Sequence, residues 1–183
     1  MVTEILLLCT ANVCRSVMAQ TMLSARLTAR GVTVRVASAG MLGSGRRPPA
    51  EVISVMAARG FDVTGHRSRL VTADSLAGAD LMLGLAREHV RHAAVLLPTA
   101  WPRAFTLREF LRLGHQAGLR SPAEPFAGWL ARTAGDRDRR ALLGKSPADD
   151  VADPVGGPLR GYQATAELLD QLTLDLVELC RLS

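Results

Sequence analysis

Residues 9–16 read Cys-Thr-Ala-Asn-Val-Cys-Arg-Ser, and the apolar run Ile5, Leu6, Leu7 and Leu8 precedes them directly. A cysteine, five intervening residues, an arginine and a hydroxyl residue can hold a phosphate dianion against a sulfur nucleophile when they end a buried strand. The loop amides would turn inward as a nest, and the helix that Ser16 opens would aim its free N–H groups at the same spot. Arg15 supplies a planar fork for two phosphate oxygens. Cys9, at the centre of that positive field, is expected to attack as thiolate. An ordinary buried cysteine with an arginine on the next helix has the same spacing, so the spacing alone leaves both readings open.

A cysteine nucleophile needs an acid for the leaving oxygen and later a base for water. The candidate is Asp153 in Ala152-Asp153-Pro154, because Pro154 stiffens the chain and disfavours helix at the residue before it. Asp149 and Asp150 are close rivals. His89 and His92 are spaced along one helix face, but Arg87 and Arg91 flank them and no acidic partner is obvious. That stretch reads as a surface helix, with no metal and no cofactor implied.

The elements that must position these groups alternate. Residues 3–8 read as a buried strand, 17–30 as a helix stopped by Gly31, and 32–36 as a strand running into Ser38-Ala39-Gly40. A Gly- and Pro-rich loop over 43–49 precedes a helix over 50–59. Strands are expected at 80–83 and 94–97, with a helix at 87–91 between them. Repeated β-then-α units imply a parallel sheet with helices on both faces, whose ligands sit beyond the carboxyl ends of the strands. The fold class expected is α/β: a three-layer sandwich, a four-stranded parallel sheet, and a helical insertion before the Asp-Pro loop. Residues 106–115 and 125–132 look helical, and the charge run 136–140 reads as a solvated turn or helix face. Residues 101–145 as a whole read as a helical elaboration of one domain over 1–183. A loop over 147–161 leads to a last helix over 162–182.

With 183 residues, the chain can bury a real core. No charged-then-apolar leader opens it and no apolar run reaches about 18 residues, so a cytoplasmic protein without a membrane span is expected. Three cysteines (Cys9, Cys14 and Cys180) argue against a disulfide framework. The net charge of +5 comes from scattered arginines (Lys145 is the only lysine), and aromatics make up 4%, so no specific nucleic-acid surface is indicated. Cys14 lies five residues from Cys9 on a loop curled around one anion, which makes a Cys9–Cys14 disulfide under peroxide an expectation.

The motif of residues 9–16, then Ser38-Ala39-Gly40, His66-Arg67-Ser68-Arg69, Ala79-Asp80-Leu81, and finally Asp153-Pro154 with Gly156-Gly157, resembles the low-molecular-weight protein tyrosine phosphatase family in content and order. The likeness covers roughly residues 3–97 and 149–182 and fades over 101–145, which is longer than in compact members. It implies Cys9 as nucleophile, Arg15 as phosphate clamp and Asp153 as general acid. It also implies Thr10, Ala11, Asn12, Val13, Cys14 and Ser16 as the phosphate loop, with Asn12, Ser16, Ser38 and His66 propping that loop. Asn tolerates the positive φ that a nest requires, and Ser16 could donate to the Cys9 sulfur.

The family's aromatic pocket mouth is missing. Residues 41–47 and 155–160 contain no ring, and Arg46, Arg47 and Arg160 stand there instead. Hydrolysis of a phosphorylated protein or a small-molecule phosphate through a cysteinyl-phosphate is therefore expected, in a monomer or weak homodimer. Arsenate reduction would need further thiols to resolve an arsenic–sulfur adduct, and no cysteine lies between Cys14 and Cys180; a phospho-ligand binder without catalysis would need neither thiol nor acid.

Overall fold

Strand β1 (Glu4–Cys9) is apolar on both sides because both of its faces are covered. Ile5, Leu7 and Cys9 point into one buried cluster, and Leu6 and Leu8 into another. This is a computed structural model that describes residues 2–135 and 137–181. β1 is followed by α1 (Arg15–Ala29), β2 (Arg35–Gly40), α2 (Ala50–Ala57), α3 (Ala73–Gly78), β3 (Leu81–Gly84), α4 (Arg87–Leu96), β4 (Ala104–Thr106), α5 (Leu107–Ala117), α6 (Phe126–Ala134) and α7 (Leu159–Cys180). The sheet order is β2-β1-β3-β4, and every pairing is parallel. The chain leaves β1 toward β2 and then crosses back to β3, so the loops after β1 and β3 diverge and open a crevice at the carboxyl ends. Cys9 is the last residue of β1 and stands at that crevice.

Met18, Met22 and Leu23 of α1, Val52 and Met56 of α2, and Leu169 and Leu176 of α7 fill the first face. Leu76 of α3 with Val90 and Ala93 of α4 fill the second. Phe105, Phe110 and Trp129 continue the first core into α5 and α6, with ring centroids 5.1 Å apart for Phe105–Phe110 and 5.6 Å for Phe110–Trp129, both edge-on. Arg120 of the α5–α6 connection ties the end of α7 to this layer by donating to the carbonyls of Cys180 and Arg181.

The three-layer architecture and the four parallel strands stand as expected, with corrections in detail. The second strand lies at Arg35–Gly40 rather than over 32–36, because its pairing with β1 begins at Glu4↔Arg35; Ser38 is thus inside the strand. Residues 94–97 are no strand: they mostly complete α4, which places Val90 and Ala93 on the sheet and leaves Val95 in solvent. The fourth strand is Ala104–Thr106, inside the segment read as purely helical. The turn-rich stretch before β3 holds a helix, α3, closed at its start by a reciprocal Thr72–Ser75 capping box. α7 starts at Leu159, three residues earlier than expected, with Pro158 at its N-cap. The charge run 136–140 leads into a short 3-10 turn at Arg139–Leu142. Asp136 of that run and Leu182 of the last helix lie outside the described residues.

Phe110 is fully buried between two edge-on rings. Phe110→Ala should lower the unfolding free energy by about 3–5 kcal/mol, read from urea melts; a loss below about 1 kcal/mol would show that the α5–α6 layer collapses without cost.

Candidate active site

Cys9 enters the loop from β1, and α1 leaves it at Arg15, with Cys14 at the N-cap. Between them Asn12 stands at φ 52°, the left-handed conformation that curls the backbone around the sulfur. The Asn12 N–H donates to Cys9 Sγ at 3.2 Å. Asn12 Nδ2 donates both to Ser16 Oγ at 2.9 Å and to Ser38 Oγ at 2.8 Å. Since Ser16 Oγ accepts from Asn12, its own hydrogen is free for Cys9 Sγ, 3.0 Å away. The Ser38 hydroxyl passes its hydrogen to Gln20 Oε1. Asn12 Oδ1 accepts from the Arg69 N–H at 2.9 Å, and the Asn12 carbonyl lies 2.8 Å from His66 Nε2, which must donate to it. His66 is half-buried, and burial pulls its pKa below the ordinary histidine value, partly opposed by this bond. It therefore works as a neutral donor.

Arg15 is almost fully enclosed. One terminal nitrogen donates to the Val151 carbonyl at 3.0 Å; the other donates to Thr10 Oγ1 at 3.0 Å and to Asp153 Oδ2 at 2.7 Å. Its Nε is buried without a partner, a donor suited to an incoming oxyanion. The structure separates the three aspartates. Asp149 is buried and receives Arg87 at 2.7 Å and Arg112 at 3.1 Å. Burial pushes its carboxyl up, but the hydrogen bonds from those two arginines outweigh this and hold it below the usual range. Asp150 accepts the backbone N–H groups of Arg87 and Ser146. Only Asp153 reaches Arg15, with its own side chain partly open to solvent.

Of the expected site residues, Cys9, Asn12, Ser16, Ser38 and His66 form one hydrogen-bonded network, and Thr10, Arg15 and Asp153 form a second, the two sharing the backbone of the loop. Ala11 and Val13 contribute backbone and packing to the loop, and Cys14 is buried beneath it. Burial, followed by the charges of Asp153 and Cys9, pushes the Cys14 thiol up to about 12, so it stays protonated at neutral pH. Arg46, Arg47 and Arg160 are exposed. Phe105, Phe110, Phe126 and Trp129 are buried in the core and not at the site. Two participants went unseen in the sequence. Gln20 lies one helical turn past Ser16, a spacing that could have marked it. His89 is not on a surface helix face: it is fully buried, with Nε2 3.1 Å from Thr10 Oγ1.

The fold and this loop define a class, and sequence comparison agrees. The profile of the low molecular weight phosphotyrosine protein phosphatase family matches residues 4–128. The chain belongs to that family. It is 35% identical over 96 residues to the low molecular weight protein-tyrosine-phosphatase Etp of Escherichia coli, a match covering 52% of this chain and 62% of that protein, so under two thirds of the relative's length. It is 25% identical over 177 residues to the protein-arginine-phosphatase of Bacillus subtilis, covering 96% of this chain and 95% of that one. The crystal structure of a low molecular weight protein tyrosine phosphatase from T. tengcongensis superposes with a TM-score of 0.73 at 30% identity, covering 96% of this chain and 98% of the other.

Gly40 ends β2 flush against the loop: a Cβ there would lie 2.7 Å from Asn12 N and 2.9 Å from the Ala11 carbonyl carbon. Both neighbours are backbone and cannot swing aside. Gly40→Ala should therefore weaken phosphate and vanadate binding at least tenfold, measured by calorimetry; unchanged affinity would mean that the loop shape does not depend on this contact.

Proposed function

We propose that this protein is a cysteine-dependent phosphatase of phosphorylated proteins, acting in the cytoplasm as a monomer or weak homodimer without metal or cofactor. The observation that carries this reading is the Arg15 guanidinium, held between the Cys9 loop and Asp153, with a buried Nε–H left to meet an oxyanion. Two donors, Asn12 N–H and Ser16 Oγ–H, favour negative charge on the sulfur. The Cys9 thiolate attacks phosphorus in line and the P–O bond to the leaving group breaks. Asp153 gives its proton to that oxygen. Arg15 stabilises the charge spread over the equatorial oxygens, together with loop amides and the α1 N-terminus. In the second half Asp153 takes a proton from water, which attacks the phosphocysteine; the P–S bond breaks and sulfur leaves as thiolate. A dianion on Arg15 displaces the Asp153 carboxylate from the guanidinium, and the released carboxylate takes up a proton from solvent, which it then gives to the leaving oxygen.

The two stretches that the resemblance assigns to the pocket mouth carry no ring to stack on a substrate, and their apolar residues Leu42, Val155 and Leu159 are exposed. That supports a second reading of the phosphorylated side chain, since a relative aligning along nearly the whole chain is a protein-arginine-phosphatase. A panel of phosphotyrosine and phosphoarginine peptides, sugar phosphates and nucleotide phosphates tests both. Turnover of a peptide well above the small phosphates supports a protein phosphatase. A phosphoarginine preference of tenfold or more in kcat/KM selects the second reading, and turnover of sugar or nucleotide phosphates alone overturns both.

The Asp153 role has a distinct signature. Asp153→Asn should cut turnover of alkyl phosphates far more than that of nitrophenyl phosphate, whose anion leaves unaided; equal losses would make Asp153 a structural partner of Arg15. Oxidation tests the neighbouring thiol. Peroxide converts the Cys9 thiolate to sulfenic acid, and the Cys14 thiol condenses with it, releasing water and leaving a Cys9–Cys14 disulfide that dithiothreitol reduces. Wild type should regain activity after reduction while Cys14→Ser stays inactive; equal recovery would leave Cys14 no protective role.

A further inference from the structure

The buried histidine of α4 has no place in the chemistry described so far. His89 is fully buried. Its Nε2 lies 3.1 Å from Thr10 Oγ1, and its Nδ1 is enclosed without a hydrogen-bond partner. α4 can bring it there because β3 ends in Gly84, where a Cβ would lie 2.9 Å from Val90 Cγ2 and 3.0 Å from His89 Cβ. The same helix start carries Arg87, which holds Asp149 and Asp150. One end of α4 therefore faces both the phosphate loop and the Asp-Pro loop.

The Thr10 hydroxyl has one hydrogen and two lone pairs, and three partners surround it: Arg15 at 3.0 Å, His89 Nε2 at 3.1 Å and Glu88 Oε1 at 3.3 Å. Arginine can only donate and a carboxylate can only accept. If His89 donates from Nε2, the Thr10 hydrogen goes to Glu88, both lone pairs are used, and the group left over is the Nδ1 lone pair. The opposite tautomer would strand an N–H donor in the core, the costlier omission.

We propose that His89 is a positioning residue: its Nε2–H and the Glu88 carboxylate orient the Thr10 hydroxyl so that a lone pair faces Arg15, which aims the guanidinium at the transferring phosphoryl group. Burial first, then repulsion from Arg15 of α1 and from His92 and Arg91 on its own helix, pulls the His89 pKa to about 3. The ring is thus a neutral donor, adding no second positive charge beside Arg15. Glu88, the carboxylate facing it, is exposed, with its Oε1 3.5 Å from Nε2.

The kinetic part rests on the phosphatase reading; the tautomer does not. The test uses the full chain with His89→Leu, His89→Gln, Thr10→Val and the double variant Thr10→Val/His89→Leu. His89→Leu, which fills the same space, should lower kcat about tenfold, what one ordinary hydrogen bond is worth. It should also weaken inhibition by vanadate, the transition-state mimic, more than inhibition by phosphate. His89→Gln places an amide N–H near the lost Nε2–H and should restore most of the rate. The double variant should be no slower than Thr10→Val, since both act through one hydroxyl.

A His89→Leu variant with wild-type kcat and an unchanged vanadate-to-phosphate ratio would overturn the proposal, as would a Gln variant no better than Leu or losses that multiply. If the Leu variant does not fold, nitrogen NMR of the wild-type ring decides. A protonated Nε2 with bare Nδ1 supports the relay, and the reverse tautomer refutes it. Wild type that turns over no phosphate at all would contradict the phosphatase reading, leaving the ring tautomer and vanadate binding to judge His89.

Discussion

The site depends on one residue held in a conformation that most side chains avoid. Asn12 stands at φ 52°, and every polar group it owns is engaged: the N–H to Cys9, the carbonyl to His66, and the carboxamide to Ser16, Ser38 and Arg69. A left-handed backbone costs about 1–2 kcal/mol for an ordinary residue, less for Asn. A net contribution of about 1 kcal/mol for each buried hydrogen bond outweighs that cost. The bonds also run in one direction, from Asn12 through Ser16 to the sulfur, so the element that bends the loop also sets which groups donate to Cys9 Sγ. Gly40 completes the constraint by allowing β2 to lie directly against the bend.

The proposed acid arrives from the far end of the chain. Asp153 is brought to Arg15 because the preceding residues are anchored: the Val151 N–H donates to the Leu85 carbonyl at the end of β3, and the Val151 carbonyl accepts from Arg15. Asp149 is locked between Arg87 of α4 and Arg112 of α5. Arg108 of α5 adds a bond to the Pro147 carbonyl. The elaborated segment between β4 and α7 is therefore more than packing: Arg108 and Arg112 hold the loop that carries Asp153. Removing one partner of the buried Asp149 cluster would leave an uncompensated charge, the costly way to lose an ion pair.

The proposed site was legible from the sequence because its loop is local. Cys9, Arg15 and Ser16 fall within eight consecutive residues, and a strand-loop-helix unit needs only periodicity and a motif to be recognised. What resisted reading was set by pairing and packing. The start of β2 depends on register with Glu4, which alternation within residues 32–36 could not reveal. β4 is three residues long, too short to show a period, and the apolar stretch 94–97 that mimicked a strand is the largely exposed last turn of α4, with Val95 in solvent. His89, flanked by charges in sequence, looked solvated. It is buried because its face of α4 turns to the sheet while Arg87 and Arg91 reach out to the Asp149 and Leu142 regions. Asp153 could not be told from Asp149 and Asp150 by residue type alone; only the anchoring of their loop separates them.

The central claim is that Cys9, set in the Asn12-shaped loop, takes the phosphoryl group covalently. Rapid acid quenching during turnover of an aryl phosphate, followed by mass spectrometry, tests it most directly. The account predicts one phosphoryl group on Cys9, more of it in Asp153→Asn with a good leaving group because hydrolysis slows, and none on the Cys9→Ala protein, which should not turn over. A phosphoryl group on another residue, or turnover that persists in Cys9→Ala, would contradict it.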